Sequence, residues 1–64
     1  MEIKIELLKL EKRQVDLVNE LKKRGITTTP QEMSSALRGL PRPKVEQIRK
    51  ESEKIIEEWQ KARD

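Results

Sequence analysis

The sequence predicts an all-α protein of four or five helices with a long C-terminal helix. Apolar residues recur with the 3.6-residue period of an amphipathic helix in several segments of the 64-residue chain. Capping and helix-ending residues mark some of the boundaries between these segments. The chain is short enough to form a single domain, residues 1–64, which buries about 60% of the surface that its unfolded form exposes.

The N-terminal 25 residues contain one helix or two. Ile3 and Leu7 fit one face of a helix, although residues 3–7 also alternate as in a strand, and we interpret them as helical. The second segment ends at Gly25, after three cations that suit a helix C-terminus. Residues 11–13 contain neither a good N-cap nor a helix breaker, so the two segments form separate helices or one fused helix. The apolar residues of both segments are Ile3, Ile5, Leu7, Leu8, Leu10, Val15, Leu17, Val18 and Leu21.

Residues 29–39 contain the clearest local signals for a helix. Thr29 is a suitable N-cap, Pro30 suits the first helical position, and Glu32 has the spacing of a capping box. Gly39 suits the end, so a helix of about ten residues is expected. Its inner, apolar face comprises Met33, Ala36, Leu37 and Leu40. Its outer face, which is polar and cationic, comprises Gln31, Ser34, Ser35 and Arg38.

The final helix is predicted to span about residues 43–63, after a stiff connector that contains Pro41 and Pro43. Its apolar stripe is longer than a core built from the rest of this short chain requires. We therefore expect its C-terminal end to pack on the N-terminal helix or on a second subunit. The stripe comprises Val45, Ile48, Ser52, Ile55, Ile56 and Trp59, of which Ile55, Ile56 and Trp59 are the candidates for core or dimer contacts.

Charge is distributed unevenly along the chain. Fifteen Lys and Arg against twelve Asp and Glu give a net charge of +3. In residues 26–44 three cations face one acid, whereas residues 45–64 contain five basic and six acidic groups. The middle segment, with Arg38, Arg42 and Lys44 against Glu32, is therefore the part that would meet a polyanion.

The composition also excludes several classes of function. The chain has no cysteine and no histidine, which removes thiol nucleophiles, imidazole bases and the usual zinc ligands. The carboxylates of the last helix have no evident cleft or positioning partner, so we expect no enzyme, cofactor, metal or small-molecule substrate. The longest apolar run is two residues, so we expect neither a signal peptide nor a membrane span.

The order of these elements resembles the Cro and CI class of helix-turn-helix repressors of phages and mobile elements. The resemblance covers roughly residues 3–56, with the motif at about 14–39, and it implies a lambda-repressor-like fold. The matching residues are Gln14 at the start of the second helix, Leu17, Val18, the Gly25-Ile26 turn, Met33, Ser34 and Gly39. This sequence departs from the family pattern in a longer second helix and in a longer turn, residues 26–29.

The resemblance implies a role for each matching polar residue. Base contacts in the major groove would come from Gln31, Ser34 and Ser35. Phosphate contacts would come from Gln14, Thr29, Arg38, Arg42 and Lys44. The chemistry agrees, because a glutamine near the start of a helix can bond bidentately to adenine. The implied partner is double-stranded DNA, bound by a homodimer at a short palindromic operator, and the implied activity is repression in the cytoplasm, at the nucleoid when bound.

Two alternative functions are compatible with the same sequence. An excisionase-type protein that bends DNA would use the same surface. A protein-interaction module would instead dock the C-terminal helix on a partner through Ile55, Ile56 and Trp59. The salt dependence of binding separates the DNA-binding functions from the protein-docking function, because only phosphate neutralisation makes affinity fall steeply with salt.

Overall fold

The computed structural model describes residues 2–63 of the chain, with side chains for residues 2–62. In this part the chain forms four α-helices and no strand. They are α1 (Ile3–Lys9), α2 (Gln14–Lys23), α3 (Pro30–Arg38) and α4 (Pro43–Arg63). The prediction of an all-α fold with a long last helix is confirmed. Met1 and Asp64, which the predicted domain included, lie outside the described residues.

α1 and α2 are separate helices because the chain turns sharply at Glu11. This residue has a left-handed φ of 58°. The N–H of Lys12 donates to the carbonyl of Leu7 at 2.9 Å, and the N–H of Glu11 donates to the carbonyl of Leu8 at 3.1 Å. This pair of bonds is the Schellman ending of a helix, in which glycine usually takes the left-handed position. A glutamate there bears the steric cost of its Cβ.

α2 and α3 end with the same pattern of hydrogen bonds, here at glycines. Gly25 has a φ of 84° and Gly39 a φ of 72°. At the end of α2 the N–H of Ile26 donates to the carbonyl of Leu21 at 2.9 Å. Both predicted helix ends are confirmed, because glycine adopts the left-handed conformation without a Cβ clash.

The core lies between α4 and the other three helices, each of which packs against α4. On α4, Ile48, Ser52 and Ile56 have no exposed surface. Their buried apolar neighbours in the core are Ile3, Leu7, Leu17, Leu21, Met33, Ala36, Val45 and Ile55. The C-terminal end of α4 packs on α1, as expected, and the amide of Gln60 donates to Glu6 Oε2 at 2.7 Å.

Three apolar residues next to the predicted stripes lie on the surface instead. Ile5, Leu8 and Val15 are 46%, 72% and 56% exposed. In α1 the inner face is set by Ile3 and Leu7, and Ile5 lies about 200° around the helix from Ile3. α1 therefore presents apolar side chains to solvent as well as to the core.

Replacing Glu11 with glycine should raise the free energy of unfolding by about 1 kcal/mol, because glycine removes the steric cost of the left-handed turn. Thermal and urea unfolding followed by circular dichroism measures this change.

The matched control is Gly25→Ala, which introduces the same strain at the end of α2. An added Cβ at Gly25 meets no atom within 4 Å, so backbone strain at its φ of 84° is the main cost. This variant should lose about 1 kcal/mol of stability. A Glu11→Gly protein less stable than the parent would contradict the turn described between α1 and α2.

Candidate nucleic-acid interface

The start of α3 is fixed by a complete capping box. Thr29 Oγ1 accepts a hydrogen bond from the N–H of Glu32 at 3.1 Å, and Glu32 Oε1 accepts one from the N–H of Thr29 at 3.0 Å. Pro30 occupies the first helical position, where its missing N–H costs nothing. The predicted capping box is confirmed, and it positions the first turn of α3 at the surface.

The outer face of α3 is open to solvent. Gln31, Ser34 and Arg38 are exposed, and Ser35 is half-buried. On the opposite face Met33 is buried in the core. The four side chains of the predicted outer face therefore lie on the surface of one short helix.

A surface hollow of about 440 Å³ lies between α3 and the start of α4. It is lined by Gln31, Glu32, Ser35, Arg42, Lys44 and Val45. The hollow brings together four of the side chains that the sequence assigned to DNA contacts, two from α3 and two from the connector and α4. The backbone carbonyl of Arg42 also accepts the first hydrogen bond of α4, from the N–H of Glu46 at 2.9 Å, so the start of this helix fixes the backbone of Arg42.

Within this hollow Lys44 is paired with Glu32. The Lys44 Nζ lies 2.6 Å from Glu32 Oε2, and the two side chains are 56% and 26% exposed. The hydrogen bond from Lys44, followed by the one from the Thr29 backbone, lowers the pKa of the Glu32 carboxyl below its ordinary value. The charge of Lys44 is therefore balanced by that of Glu32. Arg42, in contrast, makes no ion pair within residues 2–62.

Arg38 lies at the other end of α3, in a second hollow of about 150 Å³. Arg49 of α4 lines the same hollow, and a Cβ added at Gly39 would lie 3.6 Å from its Nη1. The guanidinium of Arg49 is thus close to the C-terminus of α3, where a cation is favoured by the helix dipole. Sequence reasoning missed Arg49, because only the tertiary packing of α4 brings it beside α3.

Gln14 lies apart from these two hollows. It is the exposed first residue of α2, and the helix start is held by Asp16 Oδ2, which accepts from the N–H of Arg13 at 2.9 Å. The arginine side chain has no acceptor and cannot supply the other half of a capping box. α2 and α3 pack mainly on α4 rather than on each other. The position of Gln14 relative to α3 is therefore set mainly through α4.

The candidates for core or dimer contacts have different environments. Ile55 and Ile56 are 1% and 0% exposed and face the core of their own chain. Trp59 is half-buried at the edge of the core, and the ammonium of Lys12 lies 5.2 Å from its ring centroid. Of the three, only Trp59 has surface left for a further contact.

Comparisons with known protein families, curated proteins and solved structures gave no match to the chain. Within the described residues no cluster of three or more acidic or other metal-binding side chains is placed to hold an ion. None of the helices in residues 2–63 combines the length and hydrophobicity that a bilayer crossing requires. The candidate interface is therefore defined by the geometry and charge of α3 and its surroundings.

The stabilising contribution of Glu32 should disappear in acid. Because the folded-state pKa of Glu32 is lowered, its contribution is complete above its ordinary pKa of about 4.5 and is lost as the pH falls through the lowered value. The difference in melting temperature between the parent and Glu32→Gln should therefore be largest near pH 7 and should shrink below about pH 4.5.

Glu57→Gln is the matched control, because Glu57 is exposed on α4 and makes no hydrogen bond or ion pair in the described part of the chain. Glutamine also fits the third position of a capping box, so Glu32→Gln removes mainly charge. A parent–Glu32→Gln difference that stays constant down to pH 2 would contradict the assigned role of the carboxylate.

Proposed function

We propose that the chain is a sequence-specific DNA-binding transcriptional regulator that places α3 in the major groove of double-stranded DNA. One observation carries this proposal: a short helix with an exposed polar outer face has two arginines that make no ion pair within the described side chains. Arg42 lines the hollow beside its first turns, and Arg38 is its last residue. An α-helix fits the major groove, which is about 12 Å wide. The resemblance to Cro-type repressors supports the same orientation, and repression would follow from occlusion of the operator.

Base reading is assigned to the first two turns of α3. Gln31 is exposed near the helix N-terminus, and its side-chain amide can bond both N6 and N7 of an adenine. Ser34 and Ser35 are small, so the helix backbone can come close to the base edges. Their hydroxyls can donate or accept hydrogen bonds with several bases, so they add contacts of lower selectivity.

Phosphate binding is assigned to the groups around these two turns. Arg38 and Arg42 make no ion pair within the described side chains and are exposed. Thr29 Oγ1 already accepts the N–H of Glu32, but its hydroxyl hydrogen is available to a phosphate oxygen. Gln14, exposed at the start of α2, is proposed as a further phosphate contact beside the positive end of that helix.

A homodimer is part of this proposal because a single α3 is too short to read a whole operator. α3 has nine residues, so it extends about 14 Å and reaches only a few base pairs. Two copies related by a two-fold axis would read two half-sites about one helical turn apart, which doubles the number of specific contacts. The operator would then be palindromic.

The burial of apolar side chains on α4 argues against the protein-docking alternative. Two of the three apolar side chains that would anchor a partner, Ile55 and Ile56, are enclosed in the core. A docked partner would have to replace intramolecular packing to reach them. Trp59 alone is too small an apolar surface to anchor a specific interface, which typically buries about 800 Å² on each partner.

Gln31→Ala and Arg42→Ala should weaken DNA binding in different ways. Loss of Gln31 should cost about 1–3 kcal/mol on a preferred duplex selected from a random library, and much less on scrambled DNA. Loss of Arg42 should weaken binding to both duplexes alike, and should reduce the slope of log affinity against log salt by about one. Fluorescence anisotropy titrations at several salt concentrations measure both effects.

Gln47→Ala is the matched control for these titrations. Gln47 is an exposed glutamine of α4 that does not line the hollow beside α3. Its loss should leave affinity and salt slope unchanged. If Gln31→Ala binds every duplex as the parent does, α3 is not the reading helix and the proposed orientation is wrong.

The dimer proposal predicts two chains on each palindromic duplex. Sedimentation of the protein with a duplex that contains two inverted half-sites should give a 2:1 complex, with cooperative loading. Inserting five base pairs between the half-sites should abolish cooperativity, because it rotates one site by about half a helical turn. A single chain per duplex at saturating protein would remove the dimer from the proposal.

A further inference from the structure

Glu32 is the one carboxylate among the six residues that line the hollow beside α3. Both of its oxygens are engaged, Oε1 by the N–H of Thr29 at 3.0 Å and Oε2 by the ammonium of Lys44 at 2.6 Å. The bond to Thr29 fixes the carboxylate, since rotating it away would also undo half of the helix cap. Glu32 is therefore an acid held at the surface that α3 would present to DNA.

We infer that Glu32 is an internal counter-ion that withholds Lys44 from phosphate, and thereby lowers the number of phosphates that the interface neutralises. The inference rests on the proposed DNA-binding function. It changes one assignment within it, because the resemblance gives Lys44 a phosphate contact.

The charges in the hollow give the reason. A phosphate that approaches the hollow meets the full charge of Arg42 and, beside it, a Glu32–Lys44 pair with no net charge. If Lys44 turned to the phosphate, the fixed carboxylate would be left beside a second anion, which disfavours the exchange. DNA binding then releases counterions for Arg38 and Arg42 but not for Lys44.

This arrangement sets affinity without setting sequence preference. A cation that contacts phosphate strengthens binding to every duplex, so neutralising it weakens binding to random DNA and to an operator alike. Gln31 and the serines would still discriminate between bases. Glu32 is thus assigned to control of overall affinity and of its salt dependence.

The experiment compares the parent, Glu32→Gln and the double variant Glu32→Gln/Lys44→Met by anisotropy titration between 50 and 200 mM salt. Glu32→Gln keeps a side chain that can complete the cap and releases Lys44. Its salt slope should steepen by about 0.9, so that it loses about 3.5-fold more affinity than the parent over this fourfold salt range. The double variant removes both charges together and should return to the parental slope.

The controls separate the inference from the proposed function. Glu57→Gln, which removes an exposed carboxylate of α4, should keep the parental slope. If the double variant has a slope shallower than the parent by about 0.9, Lys44 contacts phosphate in the parent and the inference is wrong, while DNA binding stands. If Glu32→Gln changes the preferred sequence at an unchanged slope, Glu32 reads a base and the inference also fails. A parent that shows no salt-dependent binding to DNA removes the proposed function itself.

Discussion

Packing on the inner face of α4 is the interaction on which the other helices depend. α1 has seven residues and α3 has nine, and helices of this length are unstable in water without tertiary contacts. Each is held because its apolar side chains are buried against α4, where Ile48 and Ile56 have no exposed surface. The same packing places the start of α4 beside α3. The packing of the core therefore creates the hollow that brings Gln31 and Arg42 together, although the polar groups of the hollow are at the surface.

Local signals were sufficient for α3 and for the buried face of α4. Thr29 and Glu32 are three residues apart, so the capping box depends on nearby chain alone. The 3.6-residue period likewise identified the buried side of α4, including Ser52. The break at Glu11 could not be predicted in this way, because a left-handed glutamate is unfavourable locally and is stabilised by the helices that pack on either side of it. Arg49 and the Glu32–Lys44 pair also depend on tertiary packing, which joins residues that lie far apart in the sequence.

The residues predicted to contact DNA lie in separate parts of the surface rather than in one cluster. Gln31, Ser35 and Arg42 line one hollow, whereas Arg38 lies in another. The separation follows from helix geometry, since Gln31 and Arg38 are seven residues apart and therefore about 10 Å apart along the axis. The position of Gln14 depends on how α2 sits relative to α3. The sequence does not specify that angle, because both helices pack mainly on α4.

The separation of the cations along α3 is compatible with the proposed binding mode. A helix lying in the major groove has a phosphate backbone on each side, and the groove is about 12 Å wide. Arg42 lines the hollow beside the first turns of α3, and Arg38 and Arg49 line the hollow at its end, so cations flank both ends of the face that α3 would present to DNA. Between them the exposed side chains of α3, Gln31 and Ser34, are uncharged, and the charge of the half-buried Glu32 is balanced by Lys44. Hydrogen bonding and close fit are then left to discriminate between bases. Under the proposed function, phosphate binding and base reading would therefore be carried by different parts of one nine-residue helix and its surroundings.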